Sequence, residues 1–225
     1  MPRPRTPVTT LLIVLNVIAF AYEVSRVGSG LLLGGGSLQA LADAGALVPA
    51  FVRQNGEYWR VVTGAFLHGS VLHIAVNMYS LYVLGQFVEV IAGARQMTII
   101  YVVSLVASGL AVVYLSSPFD VTVGASGAIF GLFGALFAIG FKLGRPGMQL
   151  VRANIGVLVL NLFITFAVPG IAVWAHVGGL IAGFIITYLI FTPPALRRAV
   201  VTREAPDPFV RRDHDVIDVP RDLDR

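Results

Sequence analysis

Six long apolar runs constrain this chain more than any other feature. They cover Val8–Val24, Phe66–Ile91, Met97–Leu115, Val121–Phe141, Val151–Val168 and Ile171–Phe191. A hydrocarbon core of about 30 Å is crossed by about 20 residues of helix. Lipid leaves backbone groups without partners unless they close a helix or a barrel, and none of these runs alternates as barrel strands do. Composition agrees, with 56% of the 225 residues hydrophobic and 12% charged, where a soluble domain carries roughly 25% charged residues. The expected fold class is therefore an all-α membrane protein with six transmembrane helices.

The breaks between runs set the orientation. Arg3 and Arg5 precede the first run, Arg95 lies between the second and third, Lys142, Arg145 and Arg152 between the fourth and fifth, and Arg197, Arg198 and Arg203 after the sixth. The alternate breaks, Ser116–Asp120 and Pro169-Gly170, carry no basic residue, so the positive-inside rule puts both termini in the cytoplasm. Only Arg53 and Arg60, in the long outer loop, run mildly against it. These basic residues form no continuous face, so a nucleic-acid partner is not expected. The chain divides into a cytoplasmic N-terminus at 1–7, a membrane domain at 8–192 and a disordered cytoplasmic tail at 193–225. An Ala-Phe-Ala in the first run resembles a signal-peptidase site, but the run is longer than a signal peptide's apolar region and reads as an uncleaved helix.

The outer loop, 28–65, is long for a helical bundle, which points to partial order. Its "SLQALADAG" suits a short helix ending at Gly45, while Tyr58 and Trp59 suit a membrane interface.

Without cysteine there is no disulfide, thiol nucleophile or thiolate metal site. The chemistry must come from the few polar groups inside the spans, each of which is costly there. These are His68, His73 and Asn77 in the second span, Glu89 at its inner end, Ser126 in the fourth and His176 in the sixth. Spans two, four and six all run inward, and counting about 1.5 Å per residue puts His73, Asn77, Ser126 and His176 roughly 5 to 10 Å below the outer boundary. Gly127, Gly131 and Gly134 form a bare stripe beside Ser126, and Ala175, Gly179 and Gly183 form another beside His176. Small residues at this spacing let helix backbones approach closely.

A serine hydroxyl becomes a nucleophile when a base takes its proton, and His176 is the base at that depth. No carboxyl shares the layer, since Glu89 lies about 18 Å below Asn77 along the helix. The reading is a Ser-His dyad whose imidazole is oriented by packing, with Phe130 as a candidate ring beneath it. His73 and Asn77 offer donors to a developing oxyanion, as does the Ser126 backbone if residues 121–124 are not helical. There is no HExxH pattern, and neither a metal nor another cofactor is expected.

Three stretches together resemble the rhomboid intramembrane serine proteases: "EYWRVVTGAFLHGSVLHIAVN", "GASG" and "AHVGGLIAG". They stand in the family's order between Glu57 and Phe191. The resemblance implies a six-helix bundle, Ser126 as nucleophile and His176 as general base. It also implies an oxyanion hole from His73, Asn77 and the Ser126 backbone, with Gly124, Gly127, Gly179 and His68 in the motifs around them. Glu89 then has a structural role, and Trp59-Arg60 belong to a loop in the outer leaflet. The implied substrates are membrane-anchored, single-pass proteins cut in or beside a transmembrane helix in the bilayer. Phe130 departs from a tyrosine in many members, and Gly64 from a histidine in some. The alternative is a non-catalytic rhomboid-like protein that binds transmembrane segments. A channel is disfavoured, because no ionisable group marks the middle of the bundle.

Overall fold

The computed structural model describes residues 5–168 and 170–193. Of the expected N-terminal segment and tail, residues 1–4 and 194–225 therefore lie outside the described residues, His214 among them. Nine α-helices are described: α1 (Pro7–Val27), α2 (Leu38–Ala44), α3 (Pro49–Asn55), α4 (Arg60–Thr63), α5 (Val71–Ala92), α6 (Ala94–Leu115), α7 (Ser126–Lys142), α8 (Arg145–Ala167) and α9 (Val173–Ile190). α1, α5, α6, α8 and α9 are long and apolar enough to cross a membrane. α7, at 17 residues, is about 25 Å long. The chain is thus a multi-pass membrane protein, and large side chains such as Ile18, Phe163 and Leu189, each at least 60% exposed, face outward where lipid would be.

Helix limits follow local chemistry. The Ser70 hydroxyl accepts from the His73 N–H and starts α5 five residues later than the apolar run suggests. Pro146, at the start of α8, begins that helix ahead of its apolar run. Gly93, at φ 87°, makes the sharp reversal from α5 to α6 that a residue with a Cβ resists.

The centre of the bundle is α7. Every residue from Gly127 to Gly140 is buried, because α5, α6, α8 and α9 all pack against it. Where its glycines face α9, backbone meets backbone. A methyl added at Gly131 would come within 3.1 Å of the Gly179 carbonyl oxygen, and one at Gly134 within 2.6 Å of the Phe184 nitrogen. In return, methyls at Gly179 and Gly183 would overlap the carbonyls of Gly127 and Gly131. The two small-residue stripes therefore interlock, as their spacing implied.

The segment 28–65, expected as the outer loop, contains three short α-helices, α2, α3 and α4. Ser37 caps α2 by accepting from the Ala40 N–H, and Gly45 ends that helix. Leu47 and Thr122 exchange backbone hydrogen bonds of 3.0 and 2.9 Å, and the Gly124 N–H donates to the Gly64 carbonyl at 2.9 Å. These bonds tie the loop to the segment before α7. They also explain why Gly64 has no side chain, since a Cβ there would lie 2.8 Å from the Leu47 nitrogen.

Candidate active site

Residues 121–124 are not helical, so Ser126 is the first residue of α7 rather than a mid-span group. Its N–H, like the others of a first helical turn, has no acceptor within the helix. The close α7–α9 contact then brings His176 alongside, with Nε2 2.8 Å from the Ser126 Oγ. The imidazole lies flat on Phe130, ring centroids 4.1 Å apart and planes 13° from parallel. Phenylalanine supplies this support without a hydroxyl.

Packing is not the only restraint on the ring. His176 Nδ1 lies 2.7 Å from the Thr165 Oγ1 of α8, a contact absent from the sequence reading. A signal for it existed: the residues that α8 buries are Gly147, Val151, Leu158 and Thr165. That stripe repeats every four or seven residues, and threonine is its one hydroxyl.

Gly124 holds the other wall. At φ 123° it adopts a conformation that L side chains resist, and a methyl there would meet the His73 Nε2 at 2.9 Å and the Ser126 Oγ at 3.8 Å. His73 and Ser126 therefore both flank Gly124. Asn77 lies one turn further along α5 and donates one amide N–H to the His73 carbonyl at 2.9 Å. This leaves its second amide hydrogen for another acceptor. Together with Thr165, His73, Asn77, Ser126 and His176 line a cleft of about 420 Å³ between α5, α7, α8 and α9.

The remaining candidates act at a distance from the cleft. Gly127 and Gly179 belong to the α7–α9 interlock. The His68 ring is fully buried and meets the His73 ring edge-on at 5.1 Å. The backbone N–H of His68 donates to the Glu23 Oε2 at 2.6 Å. Glu23, itself fully buried in α1, was missed among the ionisable span residues, because it stands at the ragged end of the first apolar run. Glu89 accepts from the Val8 N–H at 3.0 Å and from the Thr9 N–H and hydroxyl at 2.8 and 2.7 Å. It holds the first turn of α1 against the far end of α5.

Arg60 braces the outer loop. It donates to the Ala42 and Ala46 carbonyls at 2.6 and 2.9 Å and to Glu57 at 2.6 Å, over the Trp59 ring. The hydrogen bond from Arg60, and after it one from Asn55, holds the Glu57 carboxyl below the usual carboxylate range. Trp59 remains half exposed. Among the described residues no group of three or more His, Cys, Asp or Glu stands ready to hold a metal ion.

Comparison with known proteins agrees with these motifs. The family model described as "Rhomboid domain" matches residues 55–193. The chain is 34% identical over 166 residues to Rhomboid protease GluP of Bacillus subtilis, covering 72% of this chain and 32% of that one. It is 34% identical over 167 residues to RHOMBOID-like protein 5 of Arabidopsis thaliana, covering 72% and 53%. It is 34% identical over 151 residues to Rhomboid-like protease 5 of Toxoplasma gondii, covering 65% and 18%. The chain thus spans about half or less of the length of these relatives. With the family model over more than half of its residues, and His73, Asn77, Ser126 and His176 of the motifs lining one cleft, this chain belongs to the rhomboid family.

Proposed function

We propose that this protein is a serine endopeptidase that cuts membrane-anchored proteins within or next to a transmembrane helix. The observation that carries the reading is the 2.8 Å contact between Ser126 Oγ and His176 Nε2 on the wall of the cleft. In this mechanism Ser126 gives its proton to His176 Nε2 as Oγ attacks a peptide carbonyl carbon. The oxyanion that forms takes hydrogen bonds from the Ser126 N–H, the His73 ring and the free amide hydrogen of Asn77. His176 then passes the proton to the departing amine, leaving an acyl-Ser126 ester. Water, deprotonated by His176, hydrolyses that ester and restores both groups. No cofactor enters the sequence.

A peptide carbonyl is reachable only where it is not already bonded within a helix, so the substrate segment must unwind at the cut. The cleft suits entry of a single-pass segment between α5 and α8. We place α7 as a crossing too, the fourth of six, with both termini in the cytoplasm and the cleft near the outer face of the cell membrane, on the distribution of basic residues.

The test is incubation of the purified protein with a single-span substrate in lipid vesicles. Ser126→Ala is expected to abolish cleavage. Undiminished cleavage in that variant would sink the assignment, and a wild type that neither cleaves nor reacts with a fluorophosphonate at Ser126 would favour a non-catalytic binder of transmembrane segments.

A further inference from the structure

The reading above needs His176 in one of its two neutral tautomers: Nε2 bare to accept the serine proton, and Nδ1 protonated. We propose that Thr165 selects that tautomer, making it a positioning residue for the base and tying the base to the placement of α8. The inference rests on Ser126 and His176 acting as nucleophile and base.

The argument is a count of hydrogens. The Thr165 Oγ1 lies 2.8 Å from the Asn161 carbonyl and 2.7 Å from His176 Nδ1. A carbonyl oxygen has no hydrogen to offer, so the single hydroxyl hydrogen of Thr165 goes to Asn161. Were it turned toward His176 instead, two lone-pair oxygens would face each other at 2.8 Å with nothing between them. Thr165 therefore presents a lone pair to Nδ1, and Nδ1 must carry the hydrogen. In a neutral ring this leaves Nε2 bare at 2.8 Å from the Ser126 Oγ, the state a general base requires. The hydrogen bond at one ring nitrogen sets the protonation of the other.

Burial sharpens the selection. Thr165 is 2% exposed and His176 7% exposed, so water is poorly placed to replace the missing partner. The consequence reaches beyond one side chain. Among the described residues this contact is the one hydrogen bond joining α8 to α9, and Thr165 sits at the end of the single stripe that α8 buries. An α8 displaced from the bundle leaves Nδ1 without its acceptor, so the base is fully set only while α8 is seated.

The test uses the full chain with ¹⁵N-labelled histidine in lipid vesicles, His176 being assigned by the signals lost in His176→Gln. Wild type is expected to show a protonated Nδ1 and a bare Nε2. Thr165→Val keeps the shape and removes the acceptor. It is expected to lose that tautomer preference and to slow fluorophosphonate labelling of Ser126 about tenfold, the scale of one neutral hydrogen bond. Thr165→Ser is expected to preserve both tautomer and rate. A wild-type His176 protonated at Nε2 overturns the proposal. So does a Thr165→Val protein that keeps the wild-type tautomer, or a Thr165→Ser protein as slow as Thr165→Val. If Thr165→Val does not fold, the wild-type spectrum and Thr165→Ser decide. A wild type unlabelled at Ser126 strikes the protease reading instead, while the tautomer still decides for or against Thr165.

Discussion

In the proposed mechanism Asn77 serves two acceptors with one side chain. One amide hydrogen is committed to the His73 carbonyl, and the second is free for a substrate oxyanion alongside the His73 ring and the Ser126 N–H. Asn77→Ala should therefore slow turnover by about 10² or less, because the other donors remain. Initial rates at saturating substrate measure it, and wild-type rates would remove Asn77 from the oxyanion hole. At this scale the residue types were legible, since Ser126, His176, His73 and Asn77 are costly in lipid, and all four line one cleft. The Thr165 contact was not. A threonine returning a hydrogen bond to its own helix is ordinary in a membrane span, and only the three-dimensional course of α8 brings it to His176. Glu23 escaped for another reason: it lies where a hydrophobic run fades, and its partner is a backbone N–H 45 positions away.

Between elements, the decisive contact is α7 on α9. Here the four-residue glycine spacing was readable in advance, because nothing but backbone proximity needs bare positions on two facing helices. Gly179→Val should force the helices apart at the Gly127 carbonyl, separating Ser126 from His176. It is expected to lose fluorophosphonate labelling by more than 10²-fold while α5 and α6 remain helical, with circular dichroism reporting the second part. Preserved labelling would mean that the interlock does not set the catalytic distance. The starts of elements were less legible. Apolarity continues through residues 121–124, so hydropathy extended the fourth span to Val121. The backbone there instead pairs Thr122 with Leu47 and turns at Gly124, delivering Ser126 at a helix start. Cross-loop pairing of this kind leaves almost no trace in a linear pattern.

For the molecule as a whole, Glu89 and Glu23 fasten α1 to the rest at its two ends. Glu89 gathers three donors from Val8 and Thr9 and faces the positive end of a helix dipole. Glu89→Gln turns one acceptor atom into a donor opposite an N–H or hydroxyl. It should cost about 2 to 4 kcal/mol, the scale of a charged hydrogen bond plus a stranded donor. A thermal unfolding midpoint unchanged in lipid would refute that role. The all-helical class was legible because lipid admits so few backbone solutions; of the six expected crossings, five are described helices long and apolar enough to span a membrane. How α1 docks was not, for α1 buries three polar residues, Thr9, Asn16 and Glu23, and a hydropathy profile counts those as blemishes.

The backbone-to-backbone seam between α7 and α9 also bears on how this protein meets different membranes. Lipid thickness and lateral pressure act most readily on helices whose contacts are made by side chains that can change rotamer. α7 and α9 have no such layer to compress where their glycines cross, so the distance from Ser126 to His176 should be much the same in thin and thick bilayers. A dependence of activity on lipid would then originate in α5 and α8, the helices on either side of the cleft, as a change in access and, where α8 shifts, in the setting of the His176 base.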